Sequence, residues 1–367
     1  MDRKPIHVTK AFLPPLEEYV SLLEGIWERG QLTNNGPLVK QLEEQLREHL
    51  GVRHLVLVAN GTLALQIAIK AMGLKDEVIT TPFSYVATTS SLVWESCTPV
   101  FADVEPDTLT LDPVEVEKAI TPKTTAILAT HVYGNPCDCE ALAKIADRHG
   151  LQLLYDAAHA FGVEYLEQPI MTFGHASIIS FHATKLFHSC EGGAIATDDD
   201  ELADRFRYMR NFGHKGQEEF WGVGINGKMS ELHAAMGLAN LGHLDEVRTS
   251  RGSIAAIYRH ELGLENEFCW REHAKLRDAY YPFLYPSERE LLQARERLNS
   301  AGIFPRRYFF PCLSELPYLS ATLSCPSSRR ASKRVLCLPL SHDITRQEGE
   351  RIACLARPLA PSESPTG

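Results

Sequence analysis

Residues 151–195 read LQLLYDAAHAFGVEYLEQPIMTFGHASIISFHATKLFHSCEGGAI, and two runs within them decide the fold class. LQLLYDAA at 151–158 and SIISFH at 177–182 are short and apolar almost throughout. That is the pattern of strands covered by helices on both faces, as in a parallel sheet. Each run ends at a residue with chemistry attached. Asp156 closes the first, and Lys185 lies just past the second, 29 residues further along.

Working outward, runs of the same kind recur at HLVLVAN (54–60), EVITT (77–81), PVFADV (99–104), TAILATHVY (125–133) and GAIAT (193–197), separated by helical patterns. The alternation predicts an α/β fold with a largely parallel sheet. After about residue 245 the texture changes to a charged helical stretch and then the aromatic, Pro-containing AYYPFLYP. We therefore expect a large unit over 1–245, including the N-terminal segment, and a smaller unit over 246–357. PLAPSESPTG is too poor in apolar residues to pack, which predicts a loose tail over 358–367. Ser287 with Glu290, and Thr345 with Glu348, have capping-box spacing and open two helices of the smaller unit. Gly302 suits the end of the first. No repeat of solenoid period is present.

Composition narrows the function classes. A formal net charge of -10 opposes nucleic-acid binding, which needs an excess of Lys and Arg on one face. No apolar run is long enough to span a membrane, and MDRKPIHVTK lacks the apolar centre of a signal peptide, so a cytoplasmic protein is expected. Nine cysteines, an odd number scattered along the chain, read as reduced thiols. Cys137 and Cys139 form a C-x-C pair without a second cluster of donors, so no metal site is expected.

Three places carry the chemistry. Asn60, Gly61 and Thr62 end an apolar run and open TLALQIAIKAMG, a junction at which backbone N–H groups and the helix dipole receive an anion. A plain turn has the same appearance. Asp156, at the carboxyl end of a buried strand, needs a cation or a proton donor, which a pyridinium nitrogen, a salt bridge or a helix cap would each supply. Lys185 lies beside an apolar core, where desolvation frees the amine for Schiff-base chemistry; a lysine snorkelling from a loop is the ordinary alternative. Ser180 is placed to donate to a phosphate, and Gly192 and Gly193 relieve crowding where the chain turns back. The three together follow the chain order of enzymes that use pyridoxal phosphate. GVGING at 222–227 fits a dinucleotide-binding spacing, but the preceding HKGQEEFW is too polar for the strand that motif requires.

NGT (60–62), TPFSYVAT (81–88), DAAHAFG (156–162), SFHATK (180–185), RNFG (210–213) and GINGKMSE (224–231) resemble the DegT/StrS-type sugar aminotransferases of the fold type I pyridoxal-phosphate enzymes. The similarity runs from LTNNGP near residue 32 to about 355, weakly after 244. It implies a large domain with a mixed, mostly parallel sheet and a smaller C-terminal α+β domain. It also implies pyridoxal 5'-phosphate on Lys185, with Gly61, Thr62 and Ser180 at its phosphate, Tyr85 stacked on its ring, Asp156 at the ring nitrogen and His159 near the ring hydroxyl. Asn226 would reach the neighbouring subunit's cofactor phosphate in an obligate homodimer with shared active sites. Dehydratases of the family have histidine where Lys185 stands, so transamination is expected, with glutamate as donor. The texture is nearest to enzymes that aminate a dTDP-linked 4-keto-6-deoxy sugar. A 3-keto nucleotide sugar, or a pyridoxal-fold regulator without turnover, is the alternative. His182, and Arg306 with Arg307 in PRRYFFP, are candidates for holding the nucleotide sugar, guanidinium being suited to a diphosphate.

Overall fold

The computed structural model describes residues 4–263, 269–276, 278–319 and 324–358. The tail expected over 358–367 falls, apart from its first residue, outside the described residues.

All seven expected strands form one sheet: β1 (His54–Val58), β2 (Glu77–Thr80), β3 (Thr98–Phe101), β4 (Thr124–Thr130), β5 (Gln152–Asp156), β6 (Ala176–Ser180) and β7 (Gly193–Thr197). Their order across the sheet is β1-β7-β6-β5-β4-β2-β3. β7 is antiparallel to both its neighbours, and the other pairings are parallel, so six strands share one direction.

The strands read as uniformly apolar because both faces are covered. Leu55 and Leu57 of β1, Ile127 and Ala129 of β4, and Leu153 and Tyr155 of β5 join one core. Val56 and Val58, Ala126 and Leu128, and Leu154 join the other. The first face is covered by α1 (Leu16–Arg29), α2 (Pro37–Leu50), α5 (Pro113–Ala119), α6 (Cys139–His149) and α8 (Glu231–Leu241), and the second by α3 (Gly61–Ala71), α4 (Val86–Trp94) and α7 (Asp200–Met209). Alternate side chains of a strand point to opposite faces, so every position meets a helix.

A third core joins α9 (Leu244–Leu262), α10 (Glu288–Ser300), α11 (Arg346–Ala356) and an antiparallel pair of strands, Tyr281–Leu284 and Val335–Leu338. The capping spacings are realised. Ser287 accepts from Glu290 N, and Thr345 with Glu348 forms a reciprocal box. Gly302, just past α10, has φ of +76°. At the start of the chain, Ile6–His7 pairs in parallel with Ile303–Phe304. A further apolar cluster, including Phe83, Tyr133, Tyr280, Phe309 and Cys337, bridges the two units above the carboxyl edge of the sheet.

Candidate active site

Register brings the site together. Gly193 pairs with Val58 on one side and with Ser180 on the other. Because β7 runs opposite to β1 and β6, its first residue lies level with their last ones. Asn60, Gly61, Gly193 and Ser180 thus share the carboxyl edge, where open α/β sheets hold ligands. Asn60 caps α3, its Oδ1 accepting from Leu63 N at 2.9 Å. The N–H groups of Gly61 and Thr62 in the first helical turn have no carbonyl ahead of them in the helix, and both residues line the cavity. Space here is tight by design of sequence: a Cβ on Gly193 would stand 2.7 Å from the Asn60 carbonyl carbon and 2.8 Å from Gly61 N. One on Gly61 would stand 2.9 Å from Ser180 Cβ.

Asp156 ends β5, in the strand next to Ser180. It is 5% exposed. Thr88 Oγ1 donates to Oδ2 at 2.7 Å and Ala158 N to Oδ1 at 3.1 Å. Burial pushes its pKa up, opposed by those two hydrogen bonds and by the charge of Lys185. No cation lies within ion-pair distance of it among the described residues, so a buried carboxylate with spare acceptor capacity faces the cavity.

Lys185 sits on the loop that returns from β6 to β7. Phe181, Leu186 and Phe187 pin that loop into the core, Phe187 stacking on Phe161 at 4.9 Å. Lys185 N donates to His182 O, and the residue lines the same cavity as Asp156. Desolvation lowers the amine's pKa to about 8, against the opposing charges of Asp156 and Tyr85.

His159 is buried, and its Nδ1 accepts from Tyr133 N at 3.3 Å. That acceptor role places the ring proton on Nε2. Burial holds its pKa well below the ordinary value, with Lys185 adding to the effect, so the ring is a neutral donor. It stacks on Phe309 with centroids 5.4 Å apart.

One cavity of about 670 Å³ is lined by Gly61, Thr62, Tyr85, Asp156, His159, Ser180, His182, Lys185 and Arg306 together. Tyr85, 55% exposed, stands at the start of α4. His182 is at the rim, bonded to Thr184 Oγ1 at 2.8 Å. Arg306 is exposed and has no ion pair among the described residues. Two expected residues lie elsewhere. Arg307 is turned away to Glu288, at 2.7 Å, and its guanidinium lies over the Phe310 ring. Asn226 is exposed on the loop before α8 and outside the cavity.

The cavity also takes in Ser84, Tyr280, Tyr308 and Phe309, which sequence reasoning did not single out. Ser84 and Thr88 were visible in TPFSYVAT, Ser84 just before α4 and Thr88 in its first turn, with their hydroxyls 2.9 Å apart. GVGING is irregular chain, bridged at Asn226 to Asn211, without a preceding strand. Among the described residues no group of three or more His, Cys, Asp or Glu side chains could hold a metal ion.

Comparison with known proteins agrees with this geometry. Residues 16–355 match the family model described as the DegT/DnrJ/EryC1/StrS aminotransferase family. The chain is 42% identical over 366 residues to the dTDP-4-amino-4,6-dideoxy-D-glucose transaminase of Shigella dysenteriae, covering 97% of this chain and 99% of that protein. It is 38% identical over 368 residues to the enzyme of the same name from Escherichia coli, covering 95% of this chain and 96% of that protein. Among solved structures it is similar to DesI determined with its TDP-sugar product, with a TM-score of 0.91 and 36% identity over 96% of this chain and 92% of that one. The chain is an aminotransferase and belongs to the DegT/DnrJ/EryC1/StrS aminotransferase family.

Proposed function

We propose that this aminotransferase holds pyridoxal 5'-phosphate on Lys185 and moves an amino group from glutamate to the keto carbon of a dTDP-linked 4-keto-6-deoxy sugar. One observation carries the reading: a desolvated lysine and a buried carboxylate lacking an ion-pair partner face one cavity from neighbouring strand ends.

The residues fit that cofactor. Gly61, Thr62 and Ser180 line the cavity and offer N–H and O–H donors suited to phosphate oxygens, at a junction where Gly61 and Gly193 pack too closely on their neighbours to carry a Cβ. Asp156 suits a protonated ring nitrogen, His159 Nε2–H would donate to the ring hydroxyl, and Tyr85 would cover the ring face. When bound, the cofactor supplies an electron-poor ring that takes up the pair left when a proton leaves the carbon beside the nitrogen. Lys185, as a free amine, would take that proton and return it to the carbon on the other side of the same nitrogen. Its lowered pKa leaves a useful share of the amine unprotonated near neutrality.

The substrate assignment is supported by the transaminases from Shigella dysenteriae and Escherichia coli named above and by the TDP-sugar bound to DesI. Arg306, exposed at the cavity and unpaired with any carboxylate among the described residues, suits the diphosphate. Asn226 and the exposed apolar side chains Phe212, Trp221 and Val223 of the same loop suit a homodimer interface through which Asn226 reaches the neighbouring protomer's cofactor phosphate. Nine free thiols suit a reducing compartment, and we place the reaction in the cytoplasm.

The deciding assay supplies glutamate with dTDP-4-keto-6-deoxyglucose, its UDP counterpart and a 3-keto nucleotide sugar. Amino-sugar product from the dTDP 4-keto compound, with 2-oxoglutarate released in equal amount, is the expected result. Preference for the 3-keto compound replaces the substrate assignment. Cofactor on Lys185 with no transfer to any of them places the acceptor outside these three sugars.

A further inference from the structure

Lys185 Nζ donates to the phenol oxygen of Tyr280 at 3.2 Å, a contact that crosses from the cavity loop to the start of the smaller unit's strand Tyr281–Leu284. Tyr280 is 6% exposed, and this is its phenol's one hydrogen bond among the described residues. The ring has little freedom. Tyr133, His159 and Tyr308 pack edge-on against it with centroids 6.1, 5.0 and 5.7 Å away. The chain just before it is held by Arg251, itself buried, which donates to Ala279 O at 2.6 Å. A buried hydroxyl is costly without a partner, and the surrounding rings aim this one at the lysine.

The cavity offers the free amine two destinations of different character. Pairing with Asp156 would engage the carboxylate needed at the ring nitrogen and would bind the ammonium by charge. A phenol offers a hydrogen bond without a charge. It also accepts from an ammonium and donates to a neutral amine, so the contact survives a change of protonation on the lysine. Burial pushes the Tyr280 pKa up, which keeps the phenol neutral and able to do both.

We propose that Tyr280 is a positioning residue for Lys185: its phenol receives the ε-amine whenever that amine is free and holds it in the cavity, leaving Asp156 for the ring nitrogen. This rests on the functional reading above. It also links the reactive lysine to the position of the smaller unit, because Tyr280 travels with that unit's strand.

The test is Tyr280→Phe in the full chain, which keeps the ring and removes the hydroxyl. With the cofactor stripped, the rate at which trinitrobenzenesulfonate labels Lys185 is followed against pH by peptide mapping. A hydrogen bond from an ammonium is stronger than one between neutral groups, so its loss disfavours the ammonium. The labelling midpoint should fall by about half a unit or more. In the cofactor-loaded protein kcat should drop about tenfold while KM for both substrates stays within about twofold, the size expected for one well-placed hydrogen bond. An unchanged midpoint overturns the proposal whatever the activity. If the wild-type chain takes no cofactor onto Lys185, the functional reading fails, while the two midpoints still decide whether Tyr280 holds the amine.

Discussion

Thr88 Oγ1 donates to Asp156 Oδ2 at 2.7 Å, and Thr88 is itself bonded to Ser84 Oγ at 2.9 Å. The pair ties α4 to the end of β5 and supplies one of the two hydrogen bonds that oppose the effect of burial on Asp156. Thr88→Val removes the donor and keeps the shape. Asp156 should then ionise less readily and hold a protonated ring nitrogen less firmly. We expect cofactor affinity, measured by equilibrium dialysis, to fall about tenfold, equivalent to ~1.4 kcal/mol. Unchanged affinity would remove Thr88 from the site.

Gly193→Ala tests the phosphate cradle. The new methyl has nowhere to go, since its position lies within 2.9 Å of three backbone atoms of Asn60 and Gly61. The turn must shift off the end of β7. Affinity for the phosphorylated cofactor should drop by about tenfold or more, whereas uptake of unphosphorylated pyridoxal should change little. Equal losses for both ligands would place the damage elsewhere.

The acid–base behaviour of Lys185 sets the pH dependence of cofactor uptake by the stripped protein. Only the neutral amine attacks an aldehyde, and burial lowers its pKa from 10.5 to about 8. The uptake rate, read from the growth of absorbance, should therefore rise with pH and level off just above pH 8. A rate still climbing towards pH 10 would mean that the amine is solvated like any surface lysine.

Glu231 answers a different question, namely why LTNNGP and GINGKMSE accompany the catalytic residues. Its fully buried carboxylate accepts from Leu38 N and Val39 N at the start of α2, and Arg29 approaches it at 3.7 Å. A Cβ on Gly36 would lie 2.5 Å from its carboxyl carbon, so glycine before Pro37 is a packing requirement. Glu231→Ala leaves two buried N–H groups without an acceptor, which should cost about 3 kcal/mol and lower Tm by several degrees. Glu231→Gln retains an acceptor and should recover about half of that. Calorimetry of the two variants checks this.

The sheet was legible because burial on both faces leaves a strand no polar positions, so its length and apolar content identify it. The run TAILATHVY was read three residues too long, since β4 stops at Thr130 and Tyr133 adopts φ of +58° in the turn that follows. That Asp156, Lys185 and Gly61 would meet at one edge was legible for one shared reason: each ends or closely follows a buried strand at the carboxyl edge of the sheet, and all three line one cavity. Tyr280 was not, because AYYPFLYP has the composition of a core strand and its contact with Lys185 exists only once the smaller unit folds over the cavity. Arg306 and Arg307 could not be separated by composition. They are neighbours in extended chain, so one side chain lines the cavity and the next turns to Glu288. Arg210 of RNFG, which binds Glu43 and the Leu57 carbonyl at 2.8 Å each, shows that a motif can mark architecture as readily as chemistry.

The proposed reaction turns on covalent attachment of the cofactor to Lys185. Purified protein should show a visible absorbance band that borohydride abolishes, and digestion should then yield one pyridoxyl-modified peptide, carrying the label on the lysine of SFHATK. A colourless protein that gains no label after incubation with pyridoxal phosphate, or a label fixed on any other lysine, would contradict the account.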